Sequence, residues 1–175
     1  MSPRPRPLLS LFGFALLVFA AFGSGCASWT KPPFQPGAYA WFLLEADAEQ
    51  EGFPLVLPVS GVAIRVAPKP VISEFDIVEA AVAEVDLGRC LALRLTSEAA
   101  RDLYRMSVSQ MGRRLVLLVN GRALGARVLD GAIEGGVLFV FVEVPDEELH
   151  RLVLEINTFA ESIQAHAAKA KGKVK

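Results

Sequence analysis

Cysteine and histidine are scarce: the 175-residue chain has two of each. Two cysteines, Cys26 and Cys90, exclude a disulfide framework of the kind that staples small secreted domains. Two histidines, His150 and His166, leave little material for a metal centre or for imidazole acid–base chemistry. Positive charge is not in excess either. With 18 basic and 19 acidic residues the formal net charge is −1, so there is no basic field to hold nucleic acid. No phosphate-cradling glycine loop and no nucleophile elbow occur, and Gly135-Gly136 reads as a turn. No internal repeat is present. The longest apolar run, Leu8 to Phe22, has 15 residues. As a helix it spans about 22 Å, short of a bilayer core of about 30 Å.

That run is still informative. Arg4 and Arg6 precede it, and Gly23, Ser24 and Gly25 separate it from Cys26. A positive start, an apolar stretch and small residues at a cleavage point are the layout of a secretory signal, here residues 1–25. The small residues matter because a peptidase must bind them in extended form. The pattern resembles a bacterial lipobox, with Gly23 standing where an aliphatic residue is usual. The resemblance implies lipidation of Cys26: its thiol takes a diacylglyceryl group, and acyl chains of the palmitate type anchor the chain. Ordinary cleavage or an uncut anchor are the alternatives. Ala27 follows the cysteine in place of the aspartate linked to inner-membrane retention, which favours the outer membrane in a Gram-negative cell. Loss of Arg4 and Arg6 with the signal leaves 16 basic and 19 acidic residues, a net of −3. A modified Cys26 also leaves Cys90 alone. Cys90 reads as a small core residue on a strand, with a reactive thiol as the alternative.

Residues 26–37 hold three prolines and read as a spacer. A domain follows over 38–163. Ala38 to Glu45 is a strand, and the acidic stretch around Asp47, Glu49 and Glu51 is a loop that runs on to about Pro58. Gly61 to Ala67 alternates with period two and ends at Pro68 and Pro70. Ser73 to Asp76 forms a helical turn. Ile77 to Asp86 and Arg89 to Thr96 pair about Leu87-Gly88. Ala99, Leu103 and Met106 mark one face of a helix over 97–110, capped by Thr96 and ended by Gly112. Leu115 to Val119 is a continuous apolar run, hence a central strand. Asn120-Gly121 predicts a type I′ hairpin turn, and residues 122–129 return. A buried strand over 137–144 precedes a helix that Pro145 and Asp146, Glu147 and Glu148 open. Its apolar face is Leu149, Leu152, Val153, Ile156, Ala160 and Ile163. The tail, 164–175, has four lysines in its last seven residues and reads as disordered and basic. Its alternative role is contact with anionic lipid or cell-wall polymer. The expected fold class is α+β, mainly an antiparallel sheet of hairpins with two helices packed on one face.

The order of these segments resembles the head of the first large periplasmic domain of SecD, in the SecDF translocation machinery. Thr96-Ser97-Glu98-Ala99-Ala100 stands for a T-P-E-G-A motif. Gly112 to Gly121 matches a G-[KR]-R-L-A-[IV]-hydrophobic-[LV]-D-G motif, with Asn120 in place of aspartate. Gly125-Ala126-Arg127-Val128 and Ile133-Glu134-Gly135-Gly136 occupy the places of two further segments, with Arg127 where a proline is usual. The likeness is loose over 38–163 and better over 90–163. SecD couples proton movement to translocation through transmembrane helices that have no counterpart here. The resemblance therefore implies only the head's role, contact with exported or unfolded polypeptide or with a translocase component.

Chemistry has few candidates. Glu147 and His150 lie one helical turn apart and could ligate a metal, but a solvated helix face explains them better. His166, Asp146, Glu148 and Glu161 read as helix-face groups, and Ser107 and Ser109 as exposed helix residues. Arg113-Arg114 is an anion-binding candidate or a charged strand end. No catalytic site and no cofactor or metal is expected. The reading is a lipid-anchored, non-catalytic envelope protein that binds polypeptide during or after export. The alternative is a structural lipoprotein that scaffolds another envelope complex through Trp29, Phe34, Tyr39 and Trp41. A ligand held between sheet and helices stays open. Intact-mass measurement tests the anchor: a mature chain beginning at Cys26 with added acyl mass is expected, and a retained Met1 or a lipid-free mature chain refutes it.

Overall fold

The computed structural model describes residues 37–172, and the side chains as far as residue 166. Among the described residues, eight strands and two helices follow in order: β1 (Ala40–Glu45), β2 (Phe53–Val56), β3 (Ala63–Ile72), β4 (Ile77–Val85), β5 (Gly88–Leu95), α1 (Ser97–Ser109), β6 (Arg114–Val119), β7 (Arg122–Val128), β8 (Val137–Val140) and α2 (Asp146–Gly172). A 3₁₀ turn, Glu74–Asp76, lies between β3 and β4. The fold is α+β with antiparallel strand pairing. The strands divide into two sheets, β2-β3-β1-β6-β7 and β4-β5-β8. Among the described residues, no helix is long and apolar enough to cross a membrane.

Strand β6 is an interior strand of the larger sheet, between β1 and β7. Leu115, Leu117 and Val119 point into the main core, with Phe42 of β1, Leu91 and Leu93 of β5, Leu103 of α1 and Leu152 and Ile156 of α2. Val116 and Leu118 point the other way, into a second core with Leu43, Leu57, Ile64 and Val66. Both faces are covered, which is why this segment is apolar without alternation. Its hairpin turn has Asn120 at φ 50° and Gly121 at φ 80°, the left-handed pair that a type I′ turn requires. Asn120 also ties the turn to the start of β1. Its Oδ1 accepts from the Tyr39 N–H at 3.0 Å, and its own N–H donates to the Tyr39 carbonyl at 3.0 Å.

Three strands depart from expectation. The strand expected to run buried over 137–144 ends at Val140, and its Phe139 is exposed. Phe53–Val56, expected to be loop, is the edge strand β2, paired with β3. Four residues carry too short a pattern to be distinguished from loop, and pairing with β3 decides the matter. Strand β3 does not end at Pro68 but runs on to Ile72. Strand β2 stops at Phe53, opposite Val66, so Pro68 and Pro70 lie on a bare edge where a missing N–H leaves no ladder bond unmade. Bulges in the β1–β3 pairing fall at this same stretch.

Helix α1 is capped by Thr96, whose Oγ1 accepts from the Ala99 N–H at 3.3 Å. Its buried positions are Ala99, Leu103 and Ser107. Helix α2 buries Leu149, Leu152, Ile156, Phe159 and Ala160 and continues to Gly172, so it extends into the segment expected to form the basic tail.

The two sheets meet at Gly125 of β7, which bridges Val142 just past β8. The Glu143 N–H donates to the Leu124 carbonyl at 2.6 Å. A Cβ on Gly125 would overlap the Phe141 carbonyl, whereas one on Gly131 would meet nothing within 4 Å. Gly125→Ala is therefore expected to destabilise by about 1–3 kcal/mol and Gly131→Ala by no more than about 0.5 kcal/mol. Urea midpoints check this, and equal shifts would refute the close approach.

Candidate interaction surface

Beyond the Gly125–Val142 bridge, β7 and β8 diverge. The space between them is a cleft of about 390 Å³ lined by Val85, Leu87, Cys90, Arg127, Val128, Phe139 and Phe141 among others. Register explains its character. Val85, Ala83 and Ala81 of β4 lie opposite Gly88, Cys90 and Ala92 of β5, and Ala92 lies opposite Phe139 of β8. These residues share the face of the smaller sheet that is turned away from the core leucines. That face has no helix laid on it among the described residues. Leu87, Val128, Phe139, Phe141 and Val85 are exposed, Leu87 by 85%. An apolar surface rimmed by polar groups is a docking signature. Arg127 spans the cleft, donating to the Phe139 carbonyl at 3.4 Å and to Asp130 at 3.2 Å.

Cys90 is buried on the cleft floor and is free of any disulfide. Burial pushes its thiol up, and the nearby Arg127 charge only partly opposes this. A raised thiol is a poor nucleophile. The core-residue reading agrees with its burial, although its side chain faces the cleft rather than the leucine core.

The ends of the larger sheet are drawn together on a carboxylate. Glu143 accepts from the N–H groups of Val59 and Ser60, at 2.7 and 2.9 Å. These residues form the tip of the β2–β3 hairpin, while Glu143 sits beside β7. The hairpin thus curls over the second core. Desolvation, the largest single influence, pushes the Glu143 carboxyl up, but the Ser60 hydroxyl and the two N–H groups together hold it below the usual range.

The other candidate residues serve the fold. Arg114 makes a two-pronged ion pair with Glu45, Nε to Oε2 at 2.9 Å and Nη2 to Oε1. That hydrogen bonding, ahead of opposing desolvation, holds the Glu45 carboxyl low. Arg113 binds the Glu45 carbonyl, Gln110, Gln50 at 3.3 Å and Asp47 at 3.1 Å. Both arginines are thus held by internal partners, although Arg113 Nε is buried without one. His150 and His166 each direct Nδ1 to a carbonyl on their own helix, Asp146 and Ser162, and Asp146 pairs with Arg89 at 2.7 Å. Glu148 pairs with Arg151, and Glu161 is exposed. Among the described residues no group of three potential ligands can hold a metal.

Ser107 corrects the expectation of an exposed hydroxyl. It is fully buried, accepts from the Ile133 N–H at 2.9 Å and donates to the Tyr104 carbonyl. Its position one turn after Leu103 was the available signal. Ser109 is exposed, as expected. Tyr39 packs against Phe159 with the rings tilted by 56° and centroids 4.7 Å apart, and Trp41 donates to Glu74, so both are engaged within the domain. Trp29, Phe34 and Cys26 lie outside the described residues.

The Glu143 contact has a pH signature. A carboxyl held low stabilises the fold above its unfolded range, about 4.3, and that stability is lost as pH falls through the folded value. The urea midpoint is expected to fall between about pH 5 and pH 3, and to fall less in Glu143→Gln. An unchanged slope in the variant would remove Glu143 from the account, leaving Glu45 to explain the acid loss.

No family model matches the chain, and no curated protein does either. Solved structures do. A SecDF in its super-membrane-facing form matches with a TM-score of 0.54 and 19% identity, over 69% of this chain and 18% of that one. A second match is the membrane component SecDF that enhances protein export, with a TM-score of 0.54 and 18% identity. It covers 70% of this chain and 63% of its own. The chain thus spans less than two thirds of either SecDF chain. At these identities the likeness concerns the fold, and the fold is SecD-like.

Proposed function

We propose that this chain is a lipid-anchored, non-catalytic protein of the bacterial envelope that holds extended polypeptide, during or after export, in the cleft between β7 and β8. Cys26 is the anchoring residue in this reading. The domain stands on the periplasmic or external side of the membrane. The observation that carries the proposal is the exposed apolar cleft, with Leu87, Phe139 and Phe141 set around a floor of small residues. The SecD-like fold supports it, since the SecDF of similar structure is a membrane component that enhances protein export. Arg127, the charged group that spans the cleft, is held by the Phe139 carbonyl and Asp130, so the cleft offers mainly apolar contact.

An exported chain before folding presents accessible backbone, and where it is extended its successive side chains point to opposite sides. A cleft between diverging strands suits that shape, because strand edges offer main-chain hydrogen bonds while apolar walls take the side chains. The test uses the full chain in mild detergent and a reduced, carboxymethylated protein that cannot fold. Binding is expected, and Leu87→Asp together with Phe139→Asp is expected to weaken it at least about tenfold, roughly 1.4 kcal/mol or more. The urea midpoint of Leu87→Asp should stay near that of the parent. Absence of binding by the parent chain refutes the polypeptide reading. Crosslinking in intact cells that yields one dominant, unrelated envelope protein would favour the scaffold alternative.

A further inference from the structure

The smaller sheet has an edge at β4, and α2 runs along it. Ala80 lies opposite Leu93 of β5. Its backbone groups point away from β5, and Asn157 of α2 takes both. Asn157 Oδ1 accepts from the Ala80 N–H at 2.7 Å, and Nδ2 donates to the Ala80 carbonyl at 2.9 Å. Two turns along the same helix, Gln164 Nε2 donates to the Val78 carbonyl at 3.1 Å. A primary carboxamide carries the same donor and acceptor as a peptide group. Asn157 therefore occupies the place that a residue of a neighbouring strand would fill.

We propose that Asn157, with Gln164, guards the β4 edge against pairing with the β4 edge of a second copy of this chain. The sequence of β4, IVEAAVAEV, is suited to such pairing. The alternation that turns Ala80 outward also turns the backbone groups of Val82 and Glu84 outward, and no side chain among the described residues takes these up. An antiparallel pair centred on Val82 sets Val82 against its counterpart and Ala80 against Glu84 of the other copy. Glu79 then lies opposite Val85. No like charges face each other, so charge does not oppose the pairing. Small alanines allow close approach, and two three-stranded sheets would become a sheet of six. Exposed edges of this kind are usually blunted by charge, proline or a covering element. Here the carboxamide on Ala80 removes the outer pairs of the ladder from both copies at once. Only the central Val82 pair is then left.

The test is the oligomeric state of the full chain in mild detergent, by light scattering across a concentration series, with amide hydrogen exchange at Val82 and Glu84. For Asn157→Ala combined with Gln164→Ala, a dimer is expected at concentrations at least about tenfold below any seen for the parent. The Val82 and Glu84 amides should gain protection as that dimer forms. A folded variant that stays monomeric, or one that dimerises without protecting these amides, overturns the proposal. Asn157→Asp is the second variant, used if the first fails to fold. It keeps an acceptor for the Ala80 N–H but loses the donor to the carbonyl. Intermediate self-association supports the guard, and behaviour identical to the parent refutes it.

Discussion

The close approach at Gly125 is the constraint on which the architecture turns. Because this residue has no side chain, the Phe141 carbonyl can lie against β7 and the two sheets can be joined at one point. The joining is brief, and the strands then separate. Their separation leaves the cleft, and the segment that crosses the junction carries Glu143 to the hairpin tip at Val59 and Ser60. A single backbone contact thus determines both where apolar surface is left open and how the larger sheet curls over its second core. A bulky residue at 125 would disturb all of these together.

Around this junction, polar side chains act mainly as substitutes for backbone partners. The Asn120 carboxamide takes the N–H of Tyr39, Asn157 binds both main-chain groups of Ala80, and Ser107 takes the N–H of Ile133. Buried main-chain groups must be paired, and in a domain of two small sheets many strand ends and edges lack a neighbour. The arginines follow the same logic. Arg113 secures the loop after β1 through carbonyl and amide oxygens, and Arg114 fixes Glu45 at the end of that strand. The domain is consequently rich in polar contacts without a set of groups converging on a reacting atom. Besides its charged residues, the described surface leaves apolar side chains open at the cleft.

Much of this was legible in the sequence because it depends on local physics. The period-two and period-3.6 patterns, the Asn120-Gly121 turn, the Thr96 cap and the uninterrupted Leu115 to Val119 run each report a condition met by neighbouring residues. The α+β class and the SecD-like order of segments follow from them. Strand β2 and the continuation of β3 through Pro68 and Pro70 were not legible, since each depends on which strand lies alongside. Ser107 was legible only in part: its place one turn after Leu103 points inward, but the hydroxyl's partner, Ile133, comes from a distant loop.

The sequence by itself determined most of the elements, the doubly covered strand β6 and the scarcity of groups suited to catalysis, because side-chain period and turn chemistry act over a few residues. It also supplied the lipobox-like pattern at Cys26, a local pattern that needs no fold. Tertiary structure decided that the strands form two sheets, that they meet at Gly125 and part again, and that Asn157 reaches Ala80. These pair residues tens of positions apart. Nothing in a local pattern specifies such partners, and only the packing of the whole chain selects them.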